Sequence, residues 1–245
     1  MQDFPLDYAF VGTLGQVQKQ IGNAVPVGLA RAVAEEVKKY LQKNGFLGIA
    51  RIASYFSGAG GLDLGFEKAS DDCINFETCF STDIEEWAEF TINKNRNYWN
   101  FHRADITQLA PETVLDFIKK RPDVIIGGPP CQPFSVAGKQ RATQDPLGVL
   151  YRDYIRHIQF LQPKIVVMEN VYGLAQIKGV NMIEEIYKSF HTIGYEVKHQ
   201  ELMAADYGVP QKRRRLFFIA AKNLAGFSFP MPTHSEQENL LGLPL

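Results

Sequence analysis

Cysteine is scarce in this chain. Three are present, Cys73, Cys79 and Cys131, an odd set with no Cys-x-x-Cys pair, which argues against a disulfide framework or a zinc site. No apolar run approaches the roughly 20 residues of a transmembrane helix. The start, Met1-Gln2-Asp3-Phe4-Pro5, lacks the charged and apolar regions of a signal peptide. A reducing cytoplasm is the simplest home. An excess of either charge is missing too: 26 Lys and Arg against 27 Asp and Glu leave a net charge of -1. Nucleic-acid-binding domains are often basic overall, so any site for a polyanion must be local. Repeats and low-complexity tracts are absent. What remains is ordinary globular material, 45% hydrophobic and 22% charged over 245 residues. That excludes disordered and collagen-like classes and allows one large domain or two small ones.

Read in order, residues 1–15 show aromatics and glycines without a period and predict irregular chain. Pro26 then opens a helix whose Leu29, Val33, Val37, Tyr40 and Leu41 recur at helical spacing, with Asn44-Gly45 as its stop. A second unit starts after Gly48–Ala50. Arg51–Phe56 predicts a strand, Ser57–Gly61 a tight loop, Leu62–Ala69 a helix, and Phe76–Thr82 a strand ending at Asp83. Helices near Trp87–Ile92, Pro111–Lys120, 149–161 and Ile183–Ile193 alternate with strands at Asp123–Ile126, Lys164–Met168, Tyr195–Leu202 and Leu216–Ala221. This alternation predicts an α/β fold, a Rossmann-like doubly wound and mostly parallel sheet. Residues 1–47 would belong to the same domain as the core at 48–226, and 227–245 would form a tail.

Chemistry concentrates where strands end. Asp123-Val124-Ile125-Ile126 runs into Gly127-Gly128-Pro129-Pro130-Cys131-Gln132-Pro133, a stiff loop that holds a thiol at the carboxyl edge of the sheet, where ligands bind in such folds. A free thiol ionises near pH of about 8.5, so a nucleophilic Cys131 needs activation; the bland reading, a small buried residue, also describes Cys73 and Cys79. Glu169-Asn170 ends the adjacent strand and would bring a carboxyl to the same edge, able to share a proton with a ring nitrogen. Phe56-Ser57-Gly58-Ala59-Gly60-Gly61 is a glycine-rich first strand-to-helix turn. Its third glycine comes too early for the dinucleotide fingerprint, so a nucleoside with a small charged group fits better than a pyrophosphate. Asp83 at the next strand end suits a ribose diol. Asp105 either caps a turn or accepts from an adenine amine, with Ile106 against the ring; both readings stand. Gln211-Lys212-Arg213-Arg214-Arg215 is a basic cluster that is a solvated turn or a substrate contact.

Five motifs together carry a resemblance: Phe56–Gly61, Pro129-Pro130-Cys131-Gln132, Met168-Glu169-Asn170-Val171, Asp206-Tyr207-Gly208-Val209-Pro210-Gln211, and Gln211–Arg215. Over residues 1 to about 225 the chain resembles the bacterial DNA cytosine-5 methyltransferases. The resemblance implies methyl transfer from S-adenosylmethionine to C5 of a cytosine flipped out of duplex DNA. Cys131 would add to C6, Glu169 would contact N3 and the amino group, and Arg213 and Arg215 would contact the base and the cysteine loop. Phe56, Gly58, Gly60, Gly61, Asp83, Ile84, Asp105, Ile106, Pro130, Leu150 and Asn23 would hold the cofactor. Ile84 stands where an adenine-packing tryptophan often sits, and Ala24 where some members carry a serine.

One displacement departs from the family. The segment Gln20-Ile21-Gly22-Asn23-Ala24-Val25 and its helix, which usually come last, come first here, so the chain reads as circularly permuted. With no recognition region legible and a net charge of -1, the resemblance points to a catalytic subunit partnered by a second polypeptide that reads the DNA. The rivals are a non-catalytic cofactor-binding regulatory subunit, an RNA cytosine-5 methyltransferase (whose transfer-RNA branch carries a Cys-Phe-Thr signature missing here) and a nicotinamide oxidoreductase.

Overall fold

Runs of β-branched residues bounded by glycine and proline become strands, and the apolar stripes between them become helices. A computed structural model describes residues 2–130, 148–173 and 181–234. Its strands are β1 (Gly48–Tyr55), β2 (Ile74–Asp83), β3 (Phe101–Arg103), β4 (Val124–Gly127), β5 (Ile165–Val171), β6 (Glu196–Met203) and β7 (Arg214–Ala221). They form one sheet in the order β3-β2-β1-β4-β5-β7-β6. Neighbours from β3 through β5 are parallel, and β7 runs antiparallel to both β5 and β6. Parallel neighbours need a crossover of about a dozen residues or more. The link from β6 to β7 is short and carries only a 3-10 turn at Ala204–Tyr207, so β7 must turn back.

Helices α1 (Leu14–Asn23), α2 (Val27–Lys43), α3 (Gly61–Ala69), α4 (Glu86–Arg96), α5 (Pro111–Ile118), α6 (Val149–Leu161) and α7 (Met182–Thr192) complete the chain. Alternate strand residues face opposite layers. Ile52, Val124, Ile126, Val167 and Phe217 point to a core shared with α2 and α3. Ala53, Tyr55, Ile125, Val166, Met168 and Phe218 point to the core under α5, α6 and α7. The layer of α2 and α3 is unusually close. A Cβ on Gly65 would stand 2.3 Å from Ala30 Cβ and 2.7 Å from its backbone, so only glycine fits that crossing.

Three expectations change. The first is α1, which starts inside the stretch 1–15 expected to be irregular and continues to Asn23 where no helix was expected. Thr13 and Gln16 form a reciprocal capping box that starts it, and Asn23 is its last residue. Residues before it are also built into the fold: Tyr8 joins Val27, Leu64, Ile92 and Trp99 in a third core, with Phe4 and Phe10 packed on it. Cys79 is partly covered as expected, but Cys73 is exposed, because it sits in the turn that precedes β2. Finally, the tail does not leave at 227. Phe227 is buried, Tyr207 donates to the Pro230 carbonyl at 2.9 Å, and the Thr233 amide donates to Asp206 at 2.8 Å. No helix among the described residues is long and apolar enough to cross a membrane.

Candidate active site

Strand register brings the site together. Tyr55 of β1 pairs with Gly127 of β4, and Gly127 with Met168 of β5. The residues just past this row, Phe56, Gly128 and Glu169, therefore meet at one carboxyl edge. They open into a cleft of about 670 Å3, within the range of small-molecule sites.

The turn from β1 to α3 forms one wall. Phe56, Gly58 and Gly60 all have positive φ, at 55°, 53° and 77°, and for Phe56 that conformation is strained. The turn is pinned from one side by the Ser57 amide donating to the Thr82 carbonyl at 3.1 Å. The Gly58 amide donates to Asp83 Oδ2 at 2.8 Å. Gly61 is caught on the other side: a Cβ there would lie 2.3 Å from the Val25 carbonyl. Phe56, Gly58 and Gly61 line the cleft, and Gly60 packs behind it against Trp99.

Asp83, Ile84, Asp105, Ile106, Pro130, Leu150 and Asn23 also line the cleft. Asp83 spends one oxygen on Gly58 and the other on the Glu85 amide at 3.0 Å. Burial raises its pKa against the pull of these amides. Asp105 does cap its turn, its Oδ1 accepting from the Thr107 amide and hydroxyl at 2.9 Å each, yet it stands at the cleft as well. Ile84 is 63% exposed, an apolar side chain on the cleft wall. Opposite, Ile106 is buried. On one side α1 closes the cleft: Lys19 Nζ reaches Glu85 Oε1 at 2.5 Å, and both residues line it.

At the other end lies Glu169, buried. Arg215 Nε stands 2.6 Å from its Oε1 as an ion pair without hydrogen-bond alignment, so Oε1 has no hydrogen-bond partner among the described residues. Burial raises the Glu169 pKa, while the charges of Arg215 and then Arg213 pull it down. Arg213 does not line the cleft. Its guanidinium donates to the carbonyls of Gly22 at 2.7 Å and Ala24 at 3.0 Å, clasping the link between α1 and α2. Burial first, and the like charge of Arg215 second, bring its pKa down to about 10.

Cys131 lies outside the described residues. The chain leading to it does not: Pro130 lines the cleft, and the Asn170 side chain donates to the Pro129 carbonyl at 2.9 Å. Gly128 packs tightly beside the acid, since a Cβ there would meet Glu169 Oε2 at 3.1 Å.

Some residues escaped the sequence reading. Asp63 of α3 is fully buried at the cleft floor, accepting from Ser54 at 3.0 Å and Thr78 at 3.4 Å. Burial raises its pKa to about 7 against those donors. Tyr8 donates to the Ala59 carbonyl at 2.8 Å. Asn170 was visible only as part of a motif. Their signal is polar residues at core positions, which composition alone does not locate.

A nucleoside that carries a charged group fits these walls: amides at the α3 N-terminus, acids at Asp83 and Asp105, and apolar surface from Ile84, Ile106 and Leu150. At the far end of the cleft stands Glu169, paired with Arg215.

Comparison with known proteins places the chain among relatives. The family model of the C-5 cytosine-specific DNA methylases matches residues 1–39 and 50–241. The Type II methyltransferase M.FnuDI of Fusobacterium nucleatum is 37% identical over 194 residues, covering 78% of this chain and 53% of that protein. The Type II methyltransferase M1.HphI of Haemophilus parahaemolyticus is 41% identical over 184 residues, 74% and 48% of the two. The chain thus spans about half the length of the curated relatives it matches. An E. coli prophage protein provisionally named a DNA modification methyltransferase has a crystal structure with TM-score 0.58 and 31% identity, covering 70% of this chain and 46% of that one.

Proposed function

Because the chain belongs to the family of C-5 cytosine-specific DNA methylases, we propose that it transfers a methyl group from S-adenosylmethionine to C5 of a cytosine in duplex DNA. One observation carries the reading: a buried Glu169, paired with Arg215, faces the same cleft as the glycine-rich turn and the Pro129-Pro130 arm. An acid whose pKa is raised by burial can hold or share a proton at a ring nitrogen, which is what a cytosine needs before a thiol adds to it.

In this mechanism the target base leaves the stack, since C6 is unreachable within a duplex. Cys131 forms a bond to C6, and Glu169 stabilises the charge that develops at N3 and the amino group. Arg215 orients Glu169. Arg213 holds the α1–α2 link against β7 and so keeps Asn23 at the cleft. When bound, S-adenosylmethionine supplies an electrophilic methyl group. Asp83 and Asp105 would take its ribose and adenine polar groups, Ile84, Ile106 and Leu150 its ring, and Phe56, Gly58, Gly61 and Pro130 its charged end, with Gly60 shaping the turn. Loss of the C5 proton and breakage of the C6–Cys131 bond restore the aromatic ring.

The reading extends to the rest of the molecule. The family match falls in two stretches that break near the α2–β1 link, which supports a circularly permuted order. A formal charge of -1 leaves little for the phosphate contacts that position a DNA reader, which supports a second polypeptide as that reader.

The test is trapping. A 5-fluorocytosine duplex cannot lose its C5 substituent, so the wild-type chain should form a covalent adduct that depends on S-adenosylmethionine, and Cys131→Ser should form none while still binding cofactor. An adduct of equal yield from Cys131→Ser would sink the assignment. Efficient methylation of one defined site by this chain alone would sink the two-polypeptide arrangement.

A further inference from the structure

We infer that Tyr8 is a positioning residue for the cofactor turn, its hydroxyl holding Ala59 so that Phe56–Gly60 keeps the shape that receives the cofactor. This rests on the function proposed above and adds to it a role for residues 4–11.

The argument begins with the turn. Three of its five residues have positive φ, one of them the bulky Phe56. Such a conformation persists only where surrounding structure holds it. The amides of Ser57 and Gly58 are held from the β2 side by Thr82 and Asp83. Tyr8 supplies the opposite hold, donating 2.8 Å to the Ala59 carbonyl across 51 residues of sequence.

The donor itself is fixed. Phe4 lies 4.9 Å and Phe10 5.5 Å from the Tyr8 ring, centre to centre. The next residues are bound to α4: the Ala9 amide donates to Asn95 Oδ1 at 2.9 Å, the Asn95 amide group returns to the Ala9 carbonyl at 2.8 Å, and the Val11 amide donates to Thr91 at 3.0 Å. Trp99 closes the gap, since a Cβ on Gly60 would meet its ring at 2.6 Å and the Tyr8 hydroxyl at 3.4 Å. Burial drives the phenol pKa far above its ordinary value, so the hydroxyl stays a donor throughout the working pH range. Residues 4–11 therefore form a strap from α4 to the back of the turn.

Tyr8→Phe keeps the ring and removes the hydroxyl, leaving the Ala59 carbonyl buried without its donor. The turn then samples other shapes, and cofactor binding must reorder it. Calorimetry with S-adenosylhomocysteine should show affinity about tenfold weaker, the scale of one buried hydrogen bond. The turnover rate at saturating cofactor should change less than about twofold, because the hydroxyl does not touch the reacting atoms. Tyr98→Phe, which removes an exposed hydroxyl bonded to Glu67, should leave affinity unchanged. Amide exchange over residues 56–62 reads the brace without any cofactor and should rise in Tyr8→Phe alone. Unchanged exchange, or wild-type affinity in Tyr8→Phe, overturns the inference. Failure of the wild-type chain to bind S-adenosylhomocysteine would instead strike the methyltransferase reading, and the exchange result would still decide the role of Tyr8.

Discussion

At the scale of single residues, two buried carboxyls face one cleft and are tuned differently. Glu169 has a guanidinium at 2.6 Å; Asp63 has neutral donors, among them the hydroxyls of Ser54 at 3.0 Å and Thr78 at 3.4 Å. Glu169→Gln keeps the shape but removes the acid, and should lower the turnover rate at least about 100-fold, the lower end of general acid–base contributions, with cofactor affinity little changed. Single-turnover methylation would measure it; a loss under fivefold would mean that the acid is not used. For Asp63 the effect is on stability. Its folded pKa, about 7, lies above the ordinary value near 4, so its contribution is full below pH of about 4 and is lost as pH rises through about 7. Asp63→Asn removes this dependence and should gain on the wild type between pH 5 and 8, by on the order of 2 kcal/mol. Urea unfolding at both pH values would show it, and an equal difference at both would refute it. Neither tuning was legible in sequence. Glu169 could be placed at a strand end, but its arginine came from β7. Asp63 is an acid in the first turn of α3, and nothing local in the sequence shows that the start of this helix faces inward.

Among elements, periodicity identified the strands and helices with strong apolar patterns and passed over α1. In α1, Leu14, Val17 and Ile21 do recur at helical spacing behind the Thr13–Gln16 capping box, but Leu14 is exposed and the buried residue is Gln20, so the apolar stripe does not mark the face that packs. Direction was legible in principle for β7, since the chain before it is too short for a crossover. The close approach of α2 to α3 was not, because a glycine inside a helix looks like a weakness until its neighbour is known. Gly65→Ala should destabilise by about 1–3 kcal/mol, the usual cost of overpacking, since its Cβ would press on Ala30 and the backbone of Arg31. A double-mutant cycle with Ala30→Gly tests the mechanism: removing that methyl should recover part of the loss. Full additivity of the two changes would show that the contact is not the cause.

For the whole molecule, the order of segments along the chain and their order in space are separate properties. Residues before β1 hold the glycine-rich turn through Tyr8, close the cleft through Lys19 and Asn23, and bury α2 against the sheet. What joins them to the rest is packing and the Arg213 clasp on Gly22 and Ala24, more than the covalent link through exposed Leu47. This predicts an asymmetry. Inserting eight Gly and Ser residues after Leu47 should cost little, since loop closure adds only about 0.6 kcal/mol per doubling of length. Arg213→Ala, which leaves the covalent chain intact, should cost about 2 kcal/mol through two lost charge-assisted bonds and weaken cofactor binding by moving Asn23. Thermal unfolding and calorimetry on both variants compare them directly. If the insertion proves the more damaging, the link positions the N-terminal segment and the clasp is incidental. If Arg213→Ala does, the segment is held by its contacts, and its place in the sequence is free to change.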